Sequence, residues 1–489
     1  MQQLNAQDAQ FLYVQTSNNL THVMSVSIYD PTTAPGGKVR FKDIISHIEA
    51  RLDTSPVFKR RLMRLPLDFD YPYWVEDEYF DIEHHLFHGR LPEPGNWRQF
   101  CIHLSRHFSR PMDMNRPLWD MYVIEGLDHI EGVPSGSYAI ATRVHHATID
   151  GASATHFFSA ISDMDAAGTP AIPLPSREPD LGQAPAGIEL VRRAVGSNIR
   201  SPGKMASTAL RFTPALFDVL QKRLSGDARA TSKVPTTRFN QLVSPHKMFD
   251  AVSFDLADLK RIKGLVEGAT INDVVLAICA GGLRRYLTHH DELPVEPLVA
   301  NAPINARTSK REAETPGNNI TAMTVPLPTH VADAQERLQR VRDITEQTKA
   351  AKAGISARVM VDITKHMPGA TLAAVSRLMV GGRFLSNMCN LFISNVPGPQ
   401  QTLYMNGARV VQQLALAPLA DGMGLFIATP SYDGKMSFNI ISTREIMPDI
   451  EFFRACIQQA FDELLPALPK RPRPVKRARA RKRARPKSA

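Results

Sequence analysis

Between residues 166 and 235 the texture of the chain changes, and that interruption limits how the rest can fold. "AAGTPAIPLPSREPDLGQAPAG", Ala166 to Gly187, is dense in proline. Proline fixes φ and removes backbone donors, so the stretch reads as an extended linker and not as part of a sheet or helix. Gly187 to Leu224 then has broken amphipathic spacing with an excess of Arg and Lys. It reads as crossover helices packed on the body, in preference to a segment lying on a membrane surface. On either side of this region, strand-like and helix-like runs alternate with short punctuation. Residues 1–165 therefore read as one α/β unit and residues 236–468 as a second. A chain of 489 residues is also too long for one ordinary hydrophobic core.

Composition excludes several classes. With 43% hydrophobic and 22% charged residues, the sequence has no run approaching the ~20 apolar residues of a membrane-spanning helix. The start, "MQQLNAQDAQFLYVQ", lacks the basic and apolar regions of a signal peptide. The expectation is a protein that stays inside the cell. Cys101, Cys279, Cys389 and Cys456 are far apart, without zinc-ligand spacing, and read as reduced, mostly buried thiols. The formal charge of +10 resides in the tail, Pro469 to Ala489, which holds eleven basic residues and no acid; removing those eleven from 58 leaves 47 basic residues against 48 acidic. Residues 469–489 thus read as a disordered, solvated appendage on a near-neutral body.

The densest chemistry lies in "RVHHATIDGAS", Arg143 to Ser153. The preceding "SGSYAIATRVHHA" alternates as a strand, and neighbours on a strand point to opposite faces. If the strand continues through them, His145 and His146 therefore cannot both face one cleft, so one works and the other supports it. Gly151 suits a tight turn from strand to helix, and "GASATHFFSAISDM" has helical spacing. A metal site built from His145, Asp150 and His156 does not match the paired spacing of a zinc peptidase helix. A serine nucleophile would need G-x-S-x-G, which is absent. Two readings remain from spacing: hydrogen-bonded core histidines, or a histidine acting as general base with Asp150 fixing the turn.

The segment "HHATIDG" resembles the H-H-x-x-x-D-G signature of the bacterial wax ester synthase/diacylglycerol acyltransferase family, itself similar to chloramphenicol acetyltransferases and peptide-synthetase condensation domains. Further blocks resemble that family in order: "LNAQDAQFLYVQT" from Leu4, "YWVEDEYFDIEHHL" from Tyr73, "RPLWDMYVIEGL" from Arg116, "TINDVVLAICAGGLRRYL" from Thr270, "PINART" from Pro303, "GNNITAMTVPLP" from Gly317 and "FISNVPGPQQTLYMNGA" from Phe392. The resemblance runs from about Leu4 to Leu468. Two positions depart from it: Met24 stands where the family tends to have glycine, and Phe426 where asparagine is common. Both bear on substrate preference more than on chemistry.

The resemblance implies an α/β fold of two chloramphenicol acetyltransferase-like halves with the active-site channel between them. It implies that His146 takes the proton from an acceptor hydroxyl, whose oxygen attacks the thioester of a long-chain acyl-CoA. His145 either orients His146 or fills space. Asp150 is implied to be a structural carboxylate, paired with Arg60 or Arg61. Asn272 and Asp273 begin a helix as cap-type residues, or help hold the second half against the channel. Pro117, Leu118 and Trp119 read as packing. Pro397 and Gly398 fit a rigid turn, and by resemblance Ser394 and Asn395 help form the CoA or oxyanion environment. The acceptor implied is diacylglycerol or a long-chain fatty alcohol, with another hydroxyl compound as the alternative. Acyl-CoA is a substrate, and neither a cofactor nor a metal is implied. An anionic membrane or lipid-droplet surface is the expected partner of the basic segments, with the enzyme peripheral on the inner face of the cell membrane or on lipid inclusions. A nucleic-acid-binding protein acting through its tail is the reading from another class, and the near-neutral body argues against it.

Overall fold

The expected strand of the histidine motif forms, and its alternation serves two cores. The computed structural model describes residues 2–65, 68, 70–149, 151–174, 234–305, 320–350, 369–381, 386 and 388–465. Before the linker lie β1 (Gln2–Gln3), β2 (His22–Asp30), β3 (Arg60–Met63), β4 (Tyr73–Glu76), β5 (Leu86–Arg90), β6 (Trp119–Glu125) and β7 (Tyr138–His145). After it come β8 (Lys247–Asp255), β9 (Leu298–Asn305), β10 (Ile320–Leu327), β11 (Leu391–Pro397), β12 (Tyr404–Met405), β13 (Ala408–Leu416), β14 (Phe426–Tyr432) and β15 (Lys435–Thr443). Ala139 and Ala141 of β7 share a core with the helix Trp97–Phe108 and with the second half. Tyr138, Ile140 and Val144 face another core, which holds Phe58, Trp119 and Phe157. Each such fully buried aromatic side chain contributes about 1.5–3 kcal/mol.

Two mixed six-stranded sheets organise the molecule, as an α/β fold of two halves requires. The second has the order β10-β9-β11-β14-β15-β8, with β11 parallel to both β9 and β14. Its central helix, Ile271–His289, carries Gly281 and Gly282, where an added Cβ would come within 2.9 Å of Ala460 and 2.5 Å of Ile457. The missing side chains let the helix Ile450–Asp462 pack closely against it. The first sheet has the order β12-β13-β2-β7-β6-β5. Its β12 and β13 come from residues 404–416, so divisions at 165 and 236 do not fully separate the two sheets. β13 pairs antiparallel with β2 from Arg409↔Asp30 to Leu416↔Met24 and completes the first half's sheet. A smaller sheet, β1-β4-β3, flanks the first half.

Buried polar contacts also join the halves. Asp250 of β8, 2% exposed, accepts from Trp97 Nε1 at 2.7 Å and from Arg454 Nε at 3.1 Å. Lys247 Nζ donates to the Asn18 carbonyl at 2.8 Å, and Asn19 Nδ2 donates to Asp421 at 3.0 Å. All four cysteines are buried and unbridged. Among the described residues no helix is long and apolar enough to cross a membrane. The crossover read in residues 187–224 and the tail 469–489 lie outside the described residues, as does most of the linker. Its start, Asp163↔Pro170, is held by an isolated bridge.

Candidate active site

β7 ends at His145, opposite His22 on β2, and there the chain turns away from the sheet. The turn separates the two histidines. The His145 side chain is fully buried; its Nε2 lies 2.8 Å from Gln15 Oε1 and 3.0 Å from Thr21 Oγ1, and its Nδ1 accepts from Ala147 N at 3.1 Å. Its backbone N–H donates to the Leu118 carbonyl at 2.9 Å. His146 is partly exposed. Its N–H donates to the Thr21 carbonyl at 3.0 Å, and its ring stacks on Phe11, with centroids 3.9 Å apart and planes inclined by 16°. His146 Nδ1 is buried and makes no hydrogen bond to another residue among the described residues.

Burial dominates the electrostatics. It lowers the pKa of His145 to about 3, assisted by repulsion from His22, His146 and Arg64. His146 is also lowered by burial, opposed only by its own backbone carbonyl. Both rings are therefore neutral at pH 7, the form in which an imidazole accepts a proton. Beneath them, Arg143 Nε and Nη2 donate to Asp120 at 2.9 and 2.5 Å, while Arg143 Nη1 donates to the carbonyls of His107 and Arg110. His107 Nε2 lies 3.2 Å from the same carboxylate. Burial alone would raise the pKa of Asp120, but the hydrogen bonds from His107 and Arg143, with the charge of Arg143, hold it far below the carboxylate range. A cavity of about 250 Å³ opens along this network, lined in part by His85, Arg110, Arg116 and Trp119.

The other singled-out residues fall in several places. Asp150 lies outside the described residues, and Gly151 begins the helix Gly151–Ala160. Arg60 donates to the Thr148 carbonyl at 2.8 Å and lies over the Trp74 ring, whereas Arg61 sits 3.8 Å from Asp77. Thr270 is the N-cap of Ile271–His289, and Asp273 closes the capping box by accepting from Thr270 N at 2.7 Å. Asp273 also accepts from Thr345 Oγ1 at 2.7 Å and is thereby tied to the helix Ala334–Ala350. Asn272 sits beside it, half-buried. Ser394 and Asn395 lie on β11, where the Ser394 carbonyl accepts from Thr429. Pro397 ends that strand, and at Gly398 a Cβ would come within 2.3 Å of the Ser431 carbonyl, so only glycine fits the turn. Trp119 packs edge-on against Phe58 and donates to its carbonyl, as a packing residue should. Met24 is wholly buried, and Phe426 stacks on Phe392. Three residues that contact the histidines, Phe11, Gln15 and Thr21, carry no motif of their own, though they lie in or just after the block from Leu4.

Two halves on mixed sheets, with a histidine pair at the end of a central strand, define a chloramphenicol acetyltransferase-like acyltransferase. Residues 4–275 match the wax ester synthase/diacylglycerol acyltransferase catalytic domain, and residues 316–465 match the C-terminal domain of the same family. The chain belongs to the wax ester synthase/diacylglycerol acyltransferase family. A Mycobacterium tuberculosis protein whose name proposes a diacylglycerol O-acyltransferase is 31% identical over 468 residues, covering 95% of this chain and 90% of the relative. An O-acyltransferase of Acinetobacter baylyi is 30% identical over 471 residues, covering 92% and 94%. Among solved structures, the wax ester synthase/diacylglycerol acyltransferase of Marinobacter aquaeolei superposes with a TM-score of 0.67 at 26% identity, over 95% of this chain and 99% of that one. The starter condensation domain of rhizomide synthetase shares the fold, with a TM-score of 0.53 at 10% identity over 95% and 94% of the two chains.

Proposed function

We propose that this acyltransferase moves a long-chain acyl group from acyl-CoA to the hydroxyl of diacylglycerol or of a long-chain fatty alcohol, with His146 as general base. One observation carries the assignment within the histidine pair: both ring nitrogens of His145 are engaged, whereas His146, equally neutral, is partly exposed. His146 takes the acceptor's proton as its oxygen attacks the thioester carbon, and the thiolate of CoA leaves. A positioned base of this kind contributes roughly 10²–10⁴ in rate, and juxtaposition of the two substrates supplies much of the remainder. The thioester is already activated, so the transfer is direct, without a covalent acyl-enzyme, cofactor or metal. Both acceptors partition into lipid. The basic tail and crossover accordingly serve to hold the enzyme at an anionic membrane or lipid-droplet surface, peripheral to the inner face of the membrane. The near-neutral body supports no nucleic-acid role. Purified protein given palmitoyl-CoA with diacylglycerol and hexadecanol in competition tests the reading. Ester products from either acceptor are expected, and release of free fatty acid alone would overturn it.

A further inference from the structure

We infer that Gln15 is a positioning residue: by accepting the Nε2–H of His145 it fixes that ring's tautomer, and through it the backbone turn that presents His146. The inference rests on the reading of His146 as the base and extends it to residues outside the histidine motif.

The tautomer follows from the partners. A backbone N–H can only donate, so the 3.1 Å contact from Ala147 N requires a bare lone pair on His145 Nδ1. The proton of the neutral ring then sits on Nε2, which faces Gln15 Oε1 at 2.8 Å, with Thr21 Oγ1 beside it at 3.0 Å. An amide carbonyl is an acceptor, and the pattern closes without an unpaired donor. The opposite tautomer would set two N–H groups against each other at Ala147 and two lone pairs against each other at Gln15. His145 thus works as a staple across the turn. It binds the main chain two residues ahead, on the far side of His146.

The same N-terminal segment holds the second histidine. Phe11, on the helix Ala6–Tyr13, supplies the face on which His146 stacks. Thr21 Oγ1 lies 3.0 Å from the Phe11 carbonyl and 2.9 Å from Gln15 Oε1, and the Thr21 carbonyl accepts the His146 N–H. Residues 11–21 therefore form a saddle under both rings; Thr21 Oγ1 and Gln15 Oε1 both reach His145 Nε2, and of the two the Gln15 carbonyl oxygen can only accept and so selects a protonation state. The charged and titratable groups acting on His145 are His22, His146 and Arg64, all of which oppose a cation there.

The test compares Gln15→Leu, which removes the acceptor, with Gln15→Glu, which keeps its shape but adds a charge. Gln15→Leu is expected to lower kcat about 10²-fold, the cost of misplacing a catalytic group by about an ångström, with little change in KM for acyl-CoA. The Gln15→Glu carboxylate favours a doubly protonated His145, whose Nδ1–H then opposes Ala147 N–H. Nitrogen-15 spectra of histidine-labelled enzyme, assigned with His145→Asn, read this directly. Wild type should show His145 neutral with its proton on Nε2, and Gln15→Glu should show a cationic ring at neutral pH together with an altered kcat–pH profile. If Gln15→Leu does not fold, the Gln15→Glu spectra and profile carry the test. An Nδ1–H tautomer in wild type, or a folded Gln15→Leu with wild-type kcat, overturns the inference. Failure of the base assignment itself shows separately, as turnover by folded His146→Ala.

Discussion

Replacing His22 by glutamine should make the enzyme more tolerant of acid. His22 is 1% exposed, and its Nε2 lies 2.7 Å from the Phe108 carbonyl. A glutamine amide can make the same donation. Burial and the neighbouring Arg143 guanidinium lower its pKa to about 3, while Asp120 and the Phe108 carbonyl only partly oppose them and His107 adds to the lowering. In the unfolded chain the same group titrates near 6.5. As pH falls below that value, the unfolded state takes up a proton that the folded state refuses. Stability is therefore intact above about pH 6.5 and is lost progressively as pH falls toward the folded value. Each pH unit below the unfolded pKa costs about 1.4 kcal/mol per group, so at pH 5 His22 alone costs about 2 kcal/mol. His145, lowered to a similar value, adds about as much, for about 4 kcal/mol together. Guanidinium unfolding followed by tryptophan fluorescence at pH 7, 6 and 5 would measure this. The stability difference between His22→Gln and wild type should shift by about 2 kcal/mol in favour of the variant from pH 7 to pH 5. Parallel pH dependences for the two proteins would refute the reasoning.

Other outcomes follow from the site and the proposed chemistry. His146→Ala should lose roughly 10²–10⁴ in turnover with an unchanged circular dichroism spectrum, and near-normal activity in the folded variant would remove the base assignment. Asp120→Ala leaves the Arg143 guanidinium buried without its carboxylate and should cost about 3–5 kcal/mol in denaturant unfolding, whereas a neutral effect would mean that the network contributes nothing net. Activity should survive EDTA, and acid quench with radiolabelled acyl-CoA should leave no label on the protein; an acylated enzyme would contradict direct transfer. Deleting residues 469–489 should reduce co-sedimentation with anionic liposomes at low salt while barely altering turnover on detergent-dispersed substrate, since each basic residue near such a surface is worth about 1 kcal/mol at most. Undiminished binding would point to the crossover instead.

The motif strand was legible because its physics is local. Alternation in "YAIATRVH" was enough to place the strand, but it stops at His145, and it is the turn that follows, not the pleat, that buries one histidine and leaves the other partly exposed. The helix from Ile271 was equally legible, although its cap falls on Thr270, with Asp273 as the reciprocal acceptor. Gln15 and Thr21 were not, because their importance arises from folding across 130 and 124 residues of separation. Nothing in a glutamine's immediate neighbours announces that a histidine ring will arrive beside it. The Arg143–Asp120–His107 network was hidden for a similar reason, since the pairing of β6 with β7 sets Asp120 opposite Arg143. The passage of β13 into the first sheet was also unreadable, because a strand's pattern gives its faces and not its neighbours.

That passage determines where the polypeptide can be divided. A fragment ending in the linker would leave the edge of β2 bare from Met24 to Asp30, a row of unpaired backbone donors and acceptors that invites another chain. The complementary fragment would carry β13 with no sheet to enter. Two pieces produced separately would meet productively only by inserting one's strand into the other, so the first half is finished only after residue 416 has been made. During synthesis, the edge of β2, the strand beside the one that carries the histidine motif, therefore stays open until residue 416 has been made.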